Sequence, residues 1–65
     1  MTSSIEREIK QVLKYHGGRA GSEVIESILT KQGYSTWSIR ESLDSLVKKG
    51  ELRVIGPGTY EQVNK

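Results

Sequence analysis

Seven glycines, at positions 17, 18, 21, 33, 50, 56 and 58, divide this chain into three helix-length segments and a short tail. Glycine punctuates periodic segments because it accepts the left-handed backbone that closes a helix or makes a turn. The spacing therefore predicts three helices and one hairpin. At 65 residues there is room for one small domain, spanning 1–65. A chain of this size buries roughly 60% of its unfolded surface and is only marginally stable. Cysteine is absent, so neither a disulfide framework nor a thiolate metal site staples the fold. Stability must come from apolar packing, and with 34% hydrophobic residues and no Phe that core is small and aliphatic.

The first helix is expected from about Ser3 to His16. Ser3 and Glu6 have the spacing of a capping box, and Ile5, Ile9, Val12 and Leu13 share one helical face. Gly17-Gly18 ends it, and Arg19-Ala20-Gly21 reads as a short extended link. Ser22 caps a second helix with Val24, Ile25, Ile28 and Leu29 inward, stopping at Gly33. A third helix runs from about Thr36 to Lys49, with Ser35 or Thr36 as its cap and Ile39, Leu43, Leu46 and Val47 at helical spacing. The segment 51–55 alternates and is β-branched, Gly56-Pro57-Gly58 is a turn, and 59–63 pairs back as the second strand. Asn64-Lys65 is expected to fray. The expected core is Ile5, Ile9, Val12, Leu13, Val24, Ile25, Ile28, Leu29, Ile39, Leu43, Leu46, Leu52 and Val54. Tyr60 is expected in the core, and Tyr15 and Tyr34 as half-buried supports.

Composition narrows the function. A chain this short rarely encloses a substrate pocket, which typically needs ~300 Å³ or more. No nucleophile elbow, phosphate loop or nucleophile–base pair is present, so neither an enzyme nor a small-molecule substrate is expected. The single histidine, His16, has no cysteine or clustered carboxylate near it, so the expectation is no metal and no cofactor. The longest strictly apolar run is two residues, too short for a membrane span. The N-terminus has neither the basic nor the apolar region of a secretory leader, so an intracellular setting, cytoplasm or nucleus, is expected. Ten basic and eight acidic residues give a net charge of +2, a weak lean toward anionic partners.

The order helix, link, helix, tight turn, helix, hairpin resembles the winged helix-turn-helix family, over Ile5 to Val63. The most specific stretch is residues 39–52, where Leu43, Leu46, Gly50 and Leu52 match the family's Leu-x-x-Leu-x-x-x-Gly followed by an aliphatic strand residue. The resemblance implies an α+β fold of three helices plus a C-terminal two-stranded wing. It also implies binding of double-stranded DNA, with the third helix in the major groove and the wing on nearby phosphates. A regulator of transcription is the expected role.

At ~100° per residue, the face of the third helix opposite Ile39 and Leu43 holds Trp37, Glu41, Asp44 and Lys48, with Arg40 on one flank. Arg40 is the leading candidate for a base-edge or phosphate contact, since its planar fork matches both. Its alternative role is a surface ion pair with Asp44, i to i+4. Ser35 and Thr36, with the helix N-terminus, are candidates for a phosphate. Lys48, Lys49 and Arg53 are candidates for further phosphates, and Pro57 for the wing-tip approach. Trp37 on an outward face marks a contact, whether with DNA, a second copy or a protein partner. Adequate affinity calls for a homodimer on two half-sites or a larger complex. The first helix, the wing edge or Trp37 would then form the dimer contact.

Two alternatives stand beside this reading. One is a winged-helix protein-interaction module within a nucleic-acid-processing complex, which the mixed charge also suits. The other is Z-form nucleic-acid binding, because the scaffold is similar to the short winged helices of RNA-editing deaminases. There the readout uses Lys, Asn and Tyr at i, i+4 and i+8 of the third helix. The corresponding residues here are Thr36, Arg40 and Asp44, and only Pro57 stands where that family has paired wing prolines.

Overall fold

The computed structural model describes residues 4–63. Its elements are α1 (Ser4–Tyr15), β1 (Arg19–Gly21), α2 (Ser22–Lys31), α3 (Thr36–Lys48), β2 (Leu52–Val54) and β3 (Thr59–Gln62). The chain is an α+β protein of three helices and one antiparallel sheet with strand order β1-β3-β2. The Ser3 cap and the Asn64-Lys65 end lie outside the described residues.

The sheet is the main departure from the sequence reading. The hairpin β2–β3 forms as expected, pairing Leu52 with Gln62 and Val54 with Tyr60. The link at 19–21, however, is a third strand, with Arg19 opposite Glu61, Ala20 opposite Tyr60 and Gly21 opposite Thr59. The ladder extends beyond the strand: Gln62 N–H donates to the Gly18 carbonyl at 2.7 Å and Ser22 N–H to the Gly58 carbonyl at 2.6 Å. The first backbone donor of α2 is thereby satisfied by the β2–β3 turn, which ties the hairpin to the start of the helix. With β3 in the middle, the exposed sheet edges belong to β1 and β2.

The core is Ile9, Val12 and Leu13 from α1, Ala20 from β1, Ile25 and Leu29 from α2, Ile39, Leu43 and Leu46 from α3, and Leu52 from β2. Ile5, Ile28, Tyr34, Val47 and Tyr60 are partly buried and pack against it. Four expectations are corrected. Gly21 rather than Ser22 is the N-cap of α2, and no side chain caps that end. Val24 is exposed, because it sits one residue, about 100°, off the Ile25–Leu29 line. Val54 alternates onto the same side as Leu52 but lies nearer the turn, past the edge of the core, and is 54% exposed. Tyr15 is exposed rather than half-buried, with its ring leaning on His16 at a 5.7 Å centroid distance.

The corner between α3 and β2 depends on Gly50, whose φ of +80° lies in the left-handed region. Gly50 N–H donates to the Val47 carbonyl and Glu51 N–H to the Leu46 carbonyl at 2.9 Å, closing the last turn of the helix. A Cβ at Gly50 would meet nothing within 4 Å, so the cost of a side chain there is backbone strain alone. Gly50→Ala is expected to destabilise the fold by about 1–2 kcal/mol, read as a lower urea midpoint at unchanged slope.

Beneath that corner lies a buried acid that the sequence reading assigned to a helix cap. Glu6 is buried, and its Oε1 accepts a 2.8 Å hydrogen bond from Lys49 Nζ. Lys10 pairs with Glu51 alongside, so two ion pairs join α1 to the α3–β2 corner. The hydrogen bond from Lys49 holds the Glu6 carboxyl below the usual carboxylate range. Burial opposes this shift, while the Lys49 charge, the Ser45 hydroxyl and the Lys10 charge reinforce it. A carboxyl with a lowered folded-state pKa stabilises the fold above its unfolded value, about 4.3. That contribution is lost as pH falls through the lower folded value. Stability is therefore expected to drop on acidification below about pH 4.3, and Glu6→Gln should flatten that limb when urea midpoints are compared at neutral and acid pH.

Candidate nucleic-acid interface

The turn between α2 and α3 is set by local chemistry. Gly33 has φ +100°, and Tyr34 N–H donates back to the Leu29 carbonyl at 3.1 Å, closing α2. Ser35 is extended and caps α3: its Oγ accepts the Ser38 backbone N–H at 3.1 Å and donates to Ser38 Oγ at 2.9 Å. The hydroxyl proposed for a phosphate is thus engaged as the cap, while Thr36 stands exposed at the first helical position.

Ile39, Leu43 and Leu46 pin one side of α3 to the core, which turns Trp37, Arg40, Glu41, Asp44 and Lys48 outward. Trp37 is 72% exposed. The Arg40 side chain is 70% exposed, and its Nε donates to Glu26 Oε2 on α2 at 3.4 Å. Arg40 therefore does not form the alternative i, i+4 pair with Asp44, and Asp44 pairs instead with Lys48 at 3.1 Å. The Glu26 contact engages Arg40 through Nε, so the two terminal nitrogens of the guanidinium are not used by it. No separation along the chain announces this partner, since it depends on how α2 crosses α3.

The remaining candidates are dispersed. Lys49 folds under the corner to Glu6 and is part of the structural clasp. Arg53 lies on the side of β2 opposite Leu52, where its Nε donates to Glu61 Oε1 at 2.6 Å. Pro57 is exposed at the β2–β3 turn between Gly56 and Gly58, both with positive φ. A groove between the β2–β3 turn and α2 is lined by Gly21, Ser22, Glu23, Val24, Pro57 and Thr59. The structure thus brings Thr36, Trp37, Arg40 and Lys48 onto one face, and leaves Lys49 and Arg53 off it. With Glu26 included, that face carries two cations, Arg40 and Lys48, against three acids, Glu26, Glu41 and Asp44.

No family model, curated protein or solved structure matches this chain. Among the described residues, no cluster of three His, Cys, Asp or Glu side chains is placed to hold a metal ion, and no helix is long and apolar enough to cross a membrane.

Proposed function

We propose that this chain is a small winged-helix protein that binds duplex DNA, with α3 in the major groove and the β2–β3 turn against the adjacent backbone. The observation that carries the reading is Arg40. It projects from the exposed face of α3 and is steadied through Nε by Glu26, and its terminal nitrogens have no partner among the described residues. Such a fork suits a bidentate contact with guanine or phosphate. Trp37, three residues earlier on the same helix, offers a ring for a sugar or base. The protein measures 29 × 25 × 20 Å, less than the ~34 Å of one duplex turn. One copy therefore covers under a turn, and a second copy on an adjacent half-site supplies the affinity a single module lacks.

The test is titration of duplex DNA at two salt concentrations, with the protein's size measured alone and in complex. The expected result is salt-sensitive binding with a modest slope, since few phosphates are neutralised. A second reading, a protein-interaction module, is favoured by the acid excess around α3 together with the exposed Trp37. Absence of binding to any duplex at low salt, with Trp37 fluorescence responding to a protein, would decide for it.

A further inference from the structure

The sheet has two sides. One holds Leu52 and packs on the core, and the other bears a row of three charges that the register sets side by side: Arg19 on β1, Glu61 on β3 and Arg53 on β2. Glu61 lies between the arginines with its side chain only 18% exposed, accepting from Arg53 Nη2 at 2.5 Å and from Arg19 Nη2 at 3.3 Å. The two arginine side chains are 66% and 68% exposed; Arg53 engages Glu61 through Nε and Nη2 and leaves Nη1 for an outside partner, while Arg19 engages it through Nη2 and leaves Nε and Nη1. Next to the row, a shallow depression is lined by Gly17, Gly18, Arg53, Glu61 and Gln62. It continues into a second depression lined by Lys14, Gly17, Gly18 and Gln62. Lys14 is exposed and has no acidic partner among the described residues. The glycines keep the walls low, so a ligand's backbone can come close.

Charge sets this surface apart. Lys14, Arg19 and Arg53 face one acid, Glu61, a local surplus of two, against a net charge of +2 for the whole chain. The face of α3, by contrast, has more acids than cations. Arg19 and Arg53 stand two strand spacings apart, about 10 Å, too far for one small anion to bridge.

We infer that this outer side of the sheet, with the Gly17-Gly18 loop, is a second anion-binding surface, and that its ligand is a run of phosphodiesters, the backbone of a nucleic acid. Arginine forks match phosphate oxygens bidentately and Lys14 adds a point charge. The surface is separate from α3 and does not depend on α3 reading base sequence.

The test uses the ¹⁵N-labelled chain with two polyanions at matched charge: inorganic polyphosphate, which has phosphates but no bases, and polyglutamate. Polyphosphate is expected to shift the amides of Gly17, Gly18, Arg53 and Gln62 together, with polyglutamate much weaker. Lys14→Gln and Arg19→Gln are each expected to reduce the salt slope of polyphosphate binding by about one unit at unchanged melting temperature. Lys31→Gln, an exposed cation on α2, is expected to leave the slope intact. Glu61→Gln, which keeps an acceptor between the arginines but removes its charge, is expected to tighten binding. Shifts centred on residues 35–40, an equal response to polyglutamate, or an unchanged slope in both Lys14→Gln and Arg19→Gln would each overturn the inference. Because polyphosphate carries no bases, these readouts stand even if duplex binding through α3 fails.

Discussion

Leu43→Ala is expected to lower stability by about 2–5 kcal/mol, enough to leave much of the population unfolded. Leu43 is 1% exposed in the middle of α3, between Ile39 and Leu46, which are also fully buried. Shortening its isobutyl side chain to a methyl loses the transfer free energy of the removed carbons and leaves a cavity that three helices and a sheet cannot readily collapse around. Native proteins hold roughly 0.05–0.15 kcal/mol of stability per residue, so a chain this short has little to spare. Val54→Ala is the matched control. Val54 belongs to the core expected from sequence, yet the structure exposes it, and its truncation should stay within about 0.5 kcal/mol. Thermal and urea unfolding of both variants check the assignment. An unchanged melting temperature for Leu43→Ala would reject this core, and a large loss at Val54 would place it inside.

The helices were legible because their signals are local. Apolar residues repeat at helical spacing, Ser35 caps and Gly50 closes, and each of these is decided within one or two turns of chain. The outward position of Trp37 and Arg40 followed from the same geometry. β1 was not legible, because three residues ending in glycine carry no period. What makes Arg19–Gly21 a strand is β3, some forty residues on, offering its second edge. Glu6 and Lys49 show the same limit. Each has a sound local role, as a capping-box acid and as a helix C-terminal cation, and neither role reveals that the two meet under the α3–β2 corner at 2.8 Å. Arg53 is a candidate phosphate contact by its charge alone, and only the strand register shows that it stands on the outer side of the sheet beside Glu61. Fold class therefore rests on local periodicity, whereas the partners of charged side chains rest on long-range packing.

Arg40→Ala is the decisive substitution for the proposed function. If Arg40 reads a base edge, its loss should cost about 1–3 kcal/mol on the preferred duplex and relax the preference at that base pair. That corresponds to a fall in affinity of roughly 5- to 150-fold, with a smaller change on unrelated duplexes. If Arg40 meets only phosphate, the loss should be similar for every duplex and the salt slope should fall by about one unit. A purely structural role predicts neither outcome. The pair with Glu26 joins a largely exposed guanidinium to a carboxylate at 3.4 Å, an interaction worth about 0–1 kcal/mol to the fold. The melting temperature of Arg40→Ala should accordingly stay near wild type. Four affinities separate these cases: preferred and unrelated duplex, each with wild type and Arg40→Ala, measured at two salt concentrations. If none of the affinities changes, Arg40 is no part of a DNA-reading face.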